Sequence, residues 1–286
     1  MRRQRAGGMI DRRDFLKLAG GAVATASAGL LFACGGEASD MEGDGGTLEE
    51  EREGGSTADQ GRLLARPGAT PGDAKAPTGL QPLGLGSDRD GLIYVPKGYG
   101  EMEEAPLALA LHGAGSDARA GISPLLNLAD ETGLILLAPA SRGRTWDVLL
   151  GGYGPDVKFI DRALEQTFDR LAVSSERLAV TGFSDGASYA LSLGLTNGDL
   201  FTHVIAFSPG FMAPATQRGS PRIFVSHGTR DEVLPIDRTS RRVVPRLERD
   251  GYEVLYREFD GPHAVPKPVA REALEWFTSG QQASET

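Results

Sequence analysis

From about residue 90 onward, short unbroken apolar runs alternate with longer stretches of helical period, and no other feature restricts the fold as much. The runs predict strands at Leu92–Val95, Leu107–Leu111, Leu134–Ala138, Arg177–Thr181, His203–Phe207, Arg222–Ser226 and Glu253–Glu258. Between them the pattern predicts helices at Pro124–Thr132, Asp156–Leu171, Asp185–Thr196, Asp237–Asp250 and Pro266–Ser279. A strand reads as continuously apolar when helices cover both faces of its sheet. Alternating strand and helix therefore implies an α/β class with a mostly parallel sheet and right-handed crossovers. Sites in such sheets form at the carboxyl ends of strands.

The most informative of those ends is Gly182-Phe183-Ser184-Asp185-Gly186. It sits between a predicted strand and a predicted helix, where a serine occupies a tight turn that lifts its hydroxyl out of the sheet. Flanking glycines suit that turn because side chains there would strike neighbouring backbone. The helix N-terminus places partial positive charge beside a developing anion.

A serine hydroxyl needs a base. The chain has four histidines. In this architecture the order should be Ser, then Asp or Glu, then His. His112 precedes the serine and is excluded. His203 starts its strand, the wrong end, and is expected to be a surface or helix-capping residue. His263, in the loop Asp260-Gly261-Pro262-His263, is the expected base, with His227 as runner-up. Asp231, after the strand Arg222–Ser226, is the expected acid, orienting the imidazole and stabilising its charged form. Glu232 points elsewhere, and Asp237 is expected to cap the following helix. Backbone donors for a tetrahedral intermediate are expected from the N–H groups of Asp185 and of Ala114, in Leu111-His112-Gly113-Ala114-Gly115. His112 would then brace that loop through side-chain hydrogen bonds.

These segments resemble the phospholipase/carboxylesterase branch of the α/β-hydrolases over about residues 90–280. The pattern Ala138-Pro139-Ala140 followed by Arg144-Thr145-Trp146-Asp147 adds to the likeness. The resemblance implies a Ser184–Asp231–His263 triad that hydrolyses carboxylic esters or thioesters without metal or cofactor. One departure is Asp185, where such proteins often carry Gln; its carboxylate suits a helix N-terminus and would discourage anionic substrates. The connection Ser208–Pro221 is too short for a cap domain, so an open site is expected. Trp146, Tyr153, Phe183, Phe211 and Met212 are candidates for its apolar walls. Two rival readings share the scaffold: a serine peptidase, and a non-catalytic tethered binding protein.

The N-terminus reads as an address. Asp11-Arg12-Arg13-Asp14-Phe15-Leu16-Lys17 resembles a twin-arginine export signal and precedes a weakly apolar run too short for an easy membrane span. Leu31-Phe32-Ala33-Cys34 resembles a lipobox, which would lipidate Cys34 and anchor an exported protein, whereas Ala26-Ser27-Ala28 offers a rival cleavage site. Met9 is an alternative start. Residues 35–80 are poor in large apolar groups and read as an acidic flexible tether, leaving 81–280 as the catalytic domain. Of the net charge of −9, residues 35–60 carry nine acids against one arginine. No basic stripe of the kind that nucleic acid requires is present.

Overall fold

In a computed structural model of the chain, residues 57–68, 76–86 and 89–279 are described. The expected export signal, Cys34, the cleavage site at Ala28 and most of the expected tether lie outside them.

Eight strands form one sheet: β1 (Gly79–Pro82), β2 (Gly91–Val95), β3 (Ala105–Leu111), β4 (Ile135–Pro139), β5 (Val173–Phe183), β6 (His203–Phe207), β7 (Arg222–Gly228) and β8 (Val254–Phe259). Their order is β1-β2-β4-β3-β5-β6-β7-β8. β1 and β2 are antiparallel to their neighbours. The other six strands run parallel. Seven helices follow in chain order: α1 (Ala118–Leu126), α2 (Ala129–Thr132), α3 (Asp147–Leu150), α4 (Pro155–Arg170), α5 (Asp185–Thr196), α6 (Ser240–Arg249) and α7 (Lys267–Ser279). This is the mostly parallel α/β architecture that the alternation implied, with the strand and helix succession expected from the resemblance to α/β-hydrolases.

β3, β4 and β6 are buried along their whole length, which accounts for their unbroken apolar character. Alternating side chains feed two cores. One contains Leu107, Leu109, Val180 and Val204 under α4 and α5. The other contains Ala108, Ala179, Ile205, Phe207 and Phe224 under α1 and α7.

Several boundaries differ from expectation. The helix expected from Pro124 begins at Ala118, because Asp117 caps it by accepting the Ala120 N–H at 3.1 Å. Asp237 is no cap: it lies in a 3-10 turn and pairs with Arg241 at 2.8 Å. His203 is neither a surface nor a capping residue. It is buried against Trp276 and Phe277 of α7, each ring about 5.0 Å away.

The packed domain also begins earlier than residue 81. Thr57–Gln60 form a 3-10 turn, and Leu63 is fully buried. Asn197, at the end of α5, holds this segment: its side chain donates to the Gly61 carbonyl at 2.8 Å and accepts the Leu63 N–H at 2.9 Å. Arg62 adds a bidentate pair with Asp199 at 2.7 and 2.8 Å. Polar composition suggested a tether here, but a buried leucine and an amide side chain that mimics backbone pairing are enough to dock it.

Candidate active site

β5 is the central strand that delivers Ser184. At its end the chain turns directly into α5, and Ser184 takes φ 58°, ψ −119°, a conformation that costs a non-glycine residue about 1–3 kcal/mol. Surrounding contacts hold it there. The Ser184 N–H donates to the Phe207 carbonyl of β6 at 3.0 Å. A Cβ at Gly182 would lie 2.3 Å from the Gly186 carbonyl carbon, and one at Gly186 would lie 2.2 Å from the Leu111 carbonyl oxygen. The elbow therefore closes only with glycine at both positions.

Three loops converge on this serine. Ser184 Oγ lies 2.9 Å from His263 Nε2. His263 Nδ1 lies 2.5 Å from Asp231 Oδ2. The bond to Asp231 assigns the proton to Nδ1 and leaves Nε2 free to accept the serine proton. Asp231 is buried, yet its carboxyl is held below the usual carboxylate range. Burial alone would raise it; hydrogen bonds from His227, His263 and the Leu234 amide outweigh that penalty. Oδ1 accepts the Val233 and Leu234 N–H groups at 2.9 and 2.7 Å.

His227 is fully buried beside the triad and does not face the serine. Its Nε2 lies 3.1 Å from Asp231 Oδ2 and 2.8 Å from the Leu234 carbonyl. Two acceptors at Nε2 place the proton there, so Nδ1 accepts from the Ser240 hydroxyl at 2.7 Å. Sequence order had left His227 as a rival base. The fold instead makes it a second donor to Asp231.

The loop after β3 carries Ala114, which is solvent-exposed. Among the described residues neither its N–H nor that of Asp185 donates to a protein acceptor. The loop is braced from behind. His112 Nδ1 donates to the Gly113 carbonyl at 2.7 Å, and its Nε2 accepts the Ser141 N–H at 2.9 Å. Burial holds the imidazole below its ordinary pKa, which keeps the neutral form this pattern requires. Gly115 N–H donates to the Arg144 carbonyl at 2.6 Å.

Trp146 was expected on a substrate wall, but it is fully buried. Its indole N–H donates to the His112 carbonyl at 2.8 Å, and its ring stacks on Tyr189 at 5.0 Å. Phe211 and Met212 are also buried and form core, not wall. Both belong to the segment after β6. That segment is laid along α5 by three hydroxyls at i, i+4 spacing: Ser188, Ser192 and Thr196 accept the N–H groups of Gly210, Ala213 and Ala215 at 2.9, 2.9 and 3.2 Å. Tyr153 is half-buried and donates to the Ala213 carbonyl at 3.0 Å. Phe183 meets the triad, its ring 4.6 Å from that of His263.

Asp185 is buried and accepts the Thr145 hydroxyl at 2.5 Å. Burial raises its pKa, while Thr145 and the nearby His263 oppose that rise. This bond ties the start of α5 to the loop that carries Arg144 and Trp146, a link that sequence order does not reveal. Beneath that loop, Asp147 and Asp156 each accept the other's backbone N–H, at 2.9 and 2.7 Å, and Tyr189 donates to Asp147 at 2.9 Å. Among the described residues no group of three His, Cys, Asp or Glu side chains is arranged to hold a metal ion.

Residues 157–264, from α4 through the elbow to His263, match the model of the Phospholipase/Carboxylesterase family. No curated protein matches the chain. Among solved structures it is similar to esterase PE8, at 23% identity over 66% of this chain and 97% of that one, TM-score 0.55. It is also similar to a thermostable esterase, at 22% identity over 66% and 58%, TM-score 0.54. A third likeness is to serine hydrolase F of Staphylococcus aureus, described as fluorophosphonate-binding, at 14% identity over 71% and 99%, TM-score 0.57. At these identities the likeness establishes the shared fold.

Proposed function

On an α/β-hydrolase scaffold that bears the phospholipase/carboxylesterase signature, we propose that this protein is a serine esterase acting through an acyl-enzyme on Ser184. The observation that carries the reading is the continuous chain Ser184 Oγ–His263 Nε2, 2.9 Å, and His263 Nδ1–Asp231 Oδ2, 2.5 Å, on a strained strand–helix turn.

Ser184 Oγ attacks the ester carbonyl carbon while its proton passes to His263 Nε2. The carbonyl oxygen gains the negative charge and is received by the N–H groups of Ala114 and Asp185. The tetrahedral intermediate collapses, the C–O bond to the leaving group breaks, and His263 returns the proton to the departing oxygen. Water then attacks the acyl-enzyme by the same route, releasing the acid and restoring Ser184. Asp231 stays ionised throughout, because hydrogen bonds from His227, His263 and the Leu234 amide hold it below the ordinary carboxylate range. It fixes the imidazole tautomer and stabilises the imidazolium.

The N-terminal sequence supports a twin-arginine export route with lipid attachment at Cys34, which would hold the domain outside the inner membrane. The test of the catalytic reading is a fluorophosphonate probe. Labelling of the native protein and its loss in Ser184→Ala is the expected result. Labelling that persists in the variant would overturn the assignment. For the anchor, Cys34→Ser should release the protein from membranes into the soluble fraction.

A further inference from the structure

A groove of about 770 Å³ opens between α1 and the start of α7. Its inner wall is Phe183, next in the chain to the nucleophile. One side is formed by Ala120, Pro124 and Leu128 and the other by Val265 and Pro268. Both sides follow directly from catalytic loops. α1 begins just past the Ala114 loop, and Val265 is two residues beyond His263. The walls are tied together: Arg271 of α7 donates to Glu131 of α2 at 2.7 Å.

We infer that this groove receives the leaving group of the ester, and that the preferred leaving groups are large and mainly apolar, of at least two aromatic rings in extent. This rests on the esterase reading above. The direction follows from proton transfer. His263 must return its proton to the departing oxygen, so that oxygen lies within hydrogen-bonding reach of Nε2 on the flank of the imidazole. Phe183 packs its ring 4.6 Å from that same imidazole and then lines the groove. A leaving group that starts at Nε2 and passes over Phe183 enters the space between Pro124 and Val265. The size follows from volume, since about 770 Å³ lies toward the upper end of ordinary small-molecule sites. A methyl or ethyl alcohol would leave nearly all of it wet. Ser123, Asn127, Glu131, Lys267 and Arg271 also line the groove, so the gain comes from burying apolar surface against Phe183, Pro124, Leu128, Val265 and Pro268.

The test uses acetate esters, so that the acyl group is constant and small. Their leaving groups are phenols of matched acidity and increasing size: phenyl, biphenyl and terphenyl. The native protein should gain about tenfold in kcat/KM for each added ring. Leu128→Trp and Ala120→Trp fill the groove away from the reacting atoms. Both should erase the gain while leaving phenyl acetate turnover and the rate of fluorophosphonate labelling unchanged. A parallel series of phenyl esters with lengthening acyl chains should respond equally in native and variant proteins. If the phenol series is flat while phenyl acetate is hydrolysed, the inference is overturned and the esterase reading stands. The inference is overturned too if the Trp variants change the acyl series instead of the phenol series. If neither phenyl acetate nor the probe reacts, the esterase reading itself fails.

Discussion

Replacing His227 by leucine removes one donor from Asp231, the proposed catalytic acid, without touching Ser184 or His263. In the native site, His227 Nε2–H is shared between Asp231 Oδ2 at 3.1 Å and the Leu234 carbonyl at 2.8 Å. A hydrogen bond to a charged acceptor is worth about 1.5–3 kcal/mol. The Val233 and Leu234 amides still hold Oδ1 in the variant, so part of that value is retained. The expected fall in kcat is about 10- to 50-fold, well short of the roughly 10⁴-fold loss expected for Asp231→Asn, which would misplace the imidazole proton. KM for small esters should not move. The split between kcat and KM distinguishes this role from simple packing. With His227 gone, Asp231 Oδ2 keeps only the His263 bond and orients the imidazole less firmly, so the loss falls on kcat. His227→Gln keeps a donor near Nε2 and should recover most of the loss. The buried Ser240 hydroxyl loses its acceptor in His227→Leu, at a cost of about 1–3 kcal/mol, and a melting curve measures that separately. A variant with kcat within twofold of native would refute the reasoning.

Three further outcomes follow from the same geometry. Asn197→Ala removes the side chain that docks Gly61 and Leu63; it should cost about 2–4 kcal/mol, lower the melting temperature by about 5–12 °C, and expose the 57–66 segment to proteolysis before the rest of the domain unfolds. Asp185→Asn removes the buried carboxylate held by Thr145; about a fivefold rise in kcat/KM for a carboxylate-bearing ester over its neutral analogue is expected, read from paired initial rates. Burial pushes the Asp156 carboxyl up to about 6 from 3.8. The folded state thus binds a proton more tightly than the unfolded chain, and this group's contribution to stability declines as pH rises from about 4 through 6. The stability of Asp156→Asn relative to native should therefore improve by up to about 3 kcal/mol between pH 4 and pH 7, measured by denaturant titration at both; a pH-independent difference would contradict it.

What the sequence reveals divides along a physical line. Elements whose residues act through their own backbone are legible. The elbow is one, because Gly182 and Gly186 are demanded by contacts of 2.2–2.3 Å that no side chain survives. The order Ser184, Asp231, His263 is another, because each residue ends a strand or follows one in a parallel sheet. Short or edge elements fade from view. β1 is four residues with a proline at an exposed edge, where the lost N–H costs nothing. α3 is a single turn. Gly121 and Pro124 both weaken the helical pattern of α1, and only the Asp117 cap reveals its true start.

Residues whose role depends on a distant partner are the least legible. Trp146 reads as a wall residue because aromatics line binding sites, yet its indole N–H reaches back to the loop that presents Ala114. Thr145 enters the sequence only as part of a pattern, and its role stays hidden until α5 brings Asp185 within 2.5 Å of it. His203 looks like a surface histidine until Trp276 and Phe277, more than seventy residues later, close over it, and its pKa falls to about 4 through burial. The elbow helix explains why so many such links meet in one place. Its first residue is bonded to the Thr145 loop, three of its hydroxyls lay down the segment after β6, and Asn197 at its end captures the chain from residue 61 to residue 63. A strained serine at the head of a helix stays in place only if the helix cannot shift to relieve it. The polar residues along α5, which periodicity alone would assign to a solvent face, are the bonds that prevent that shift.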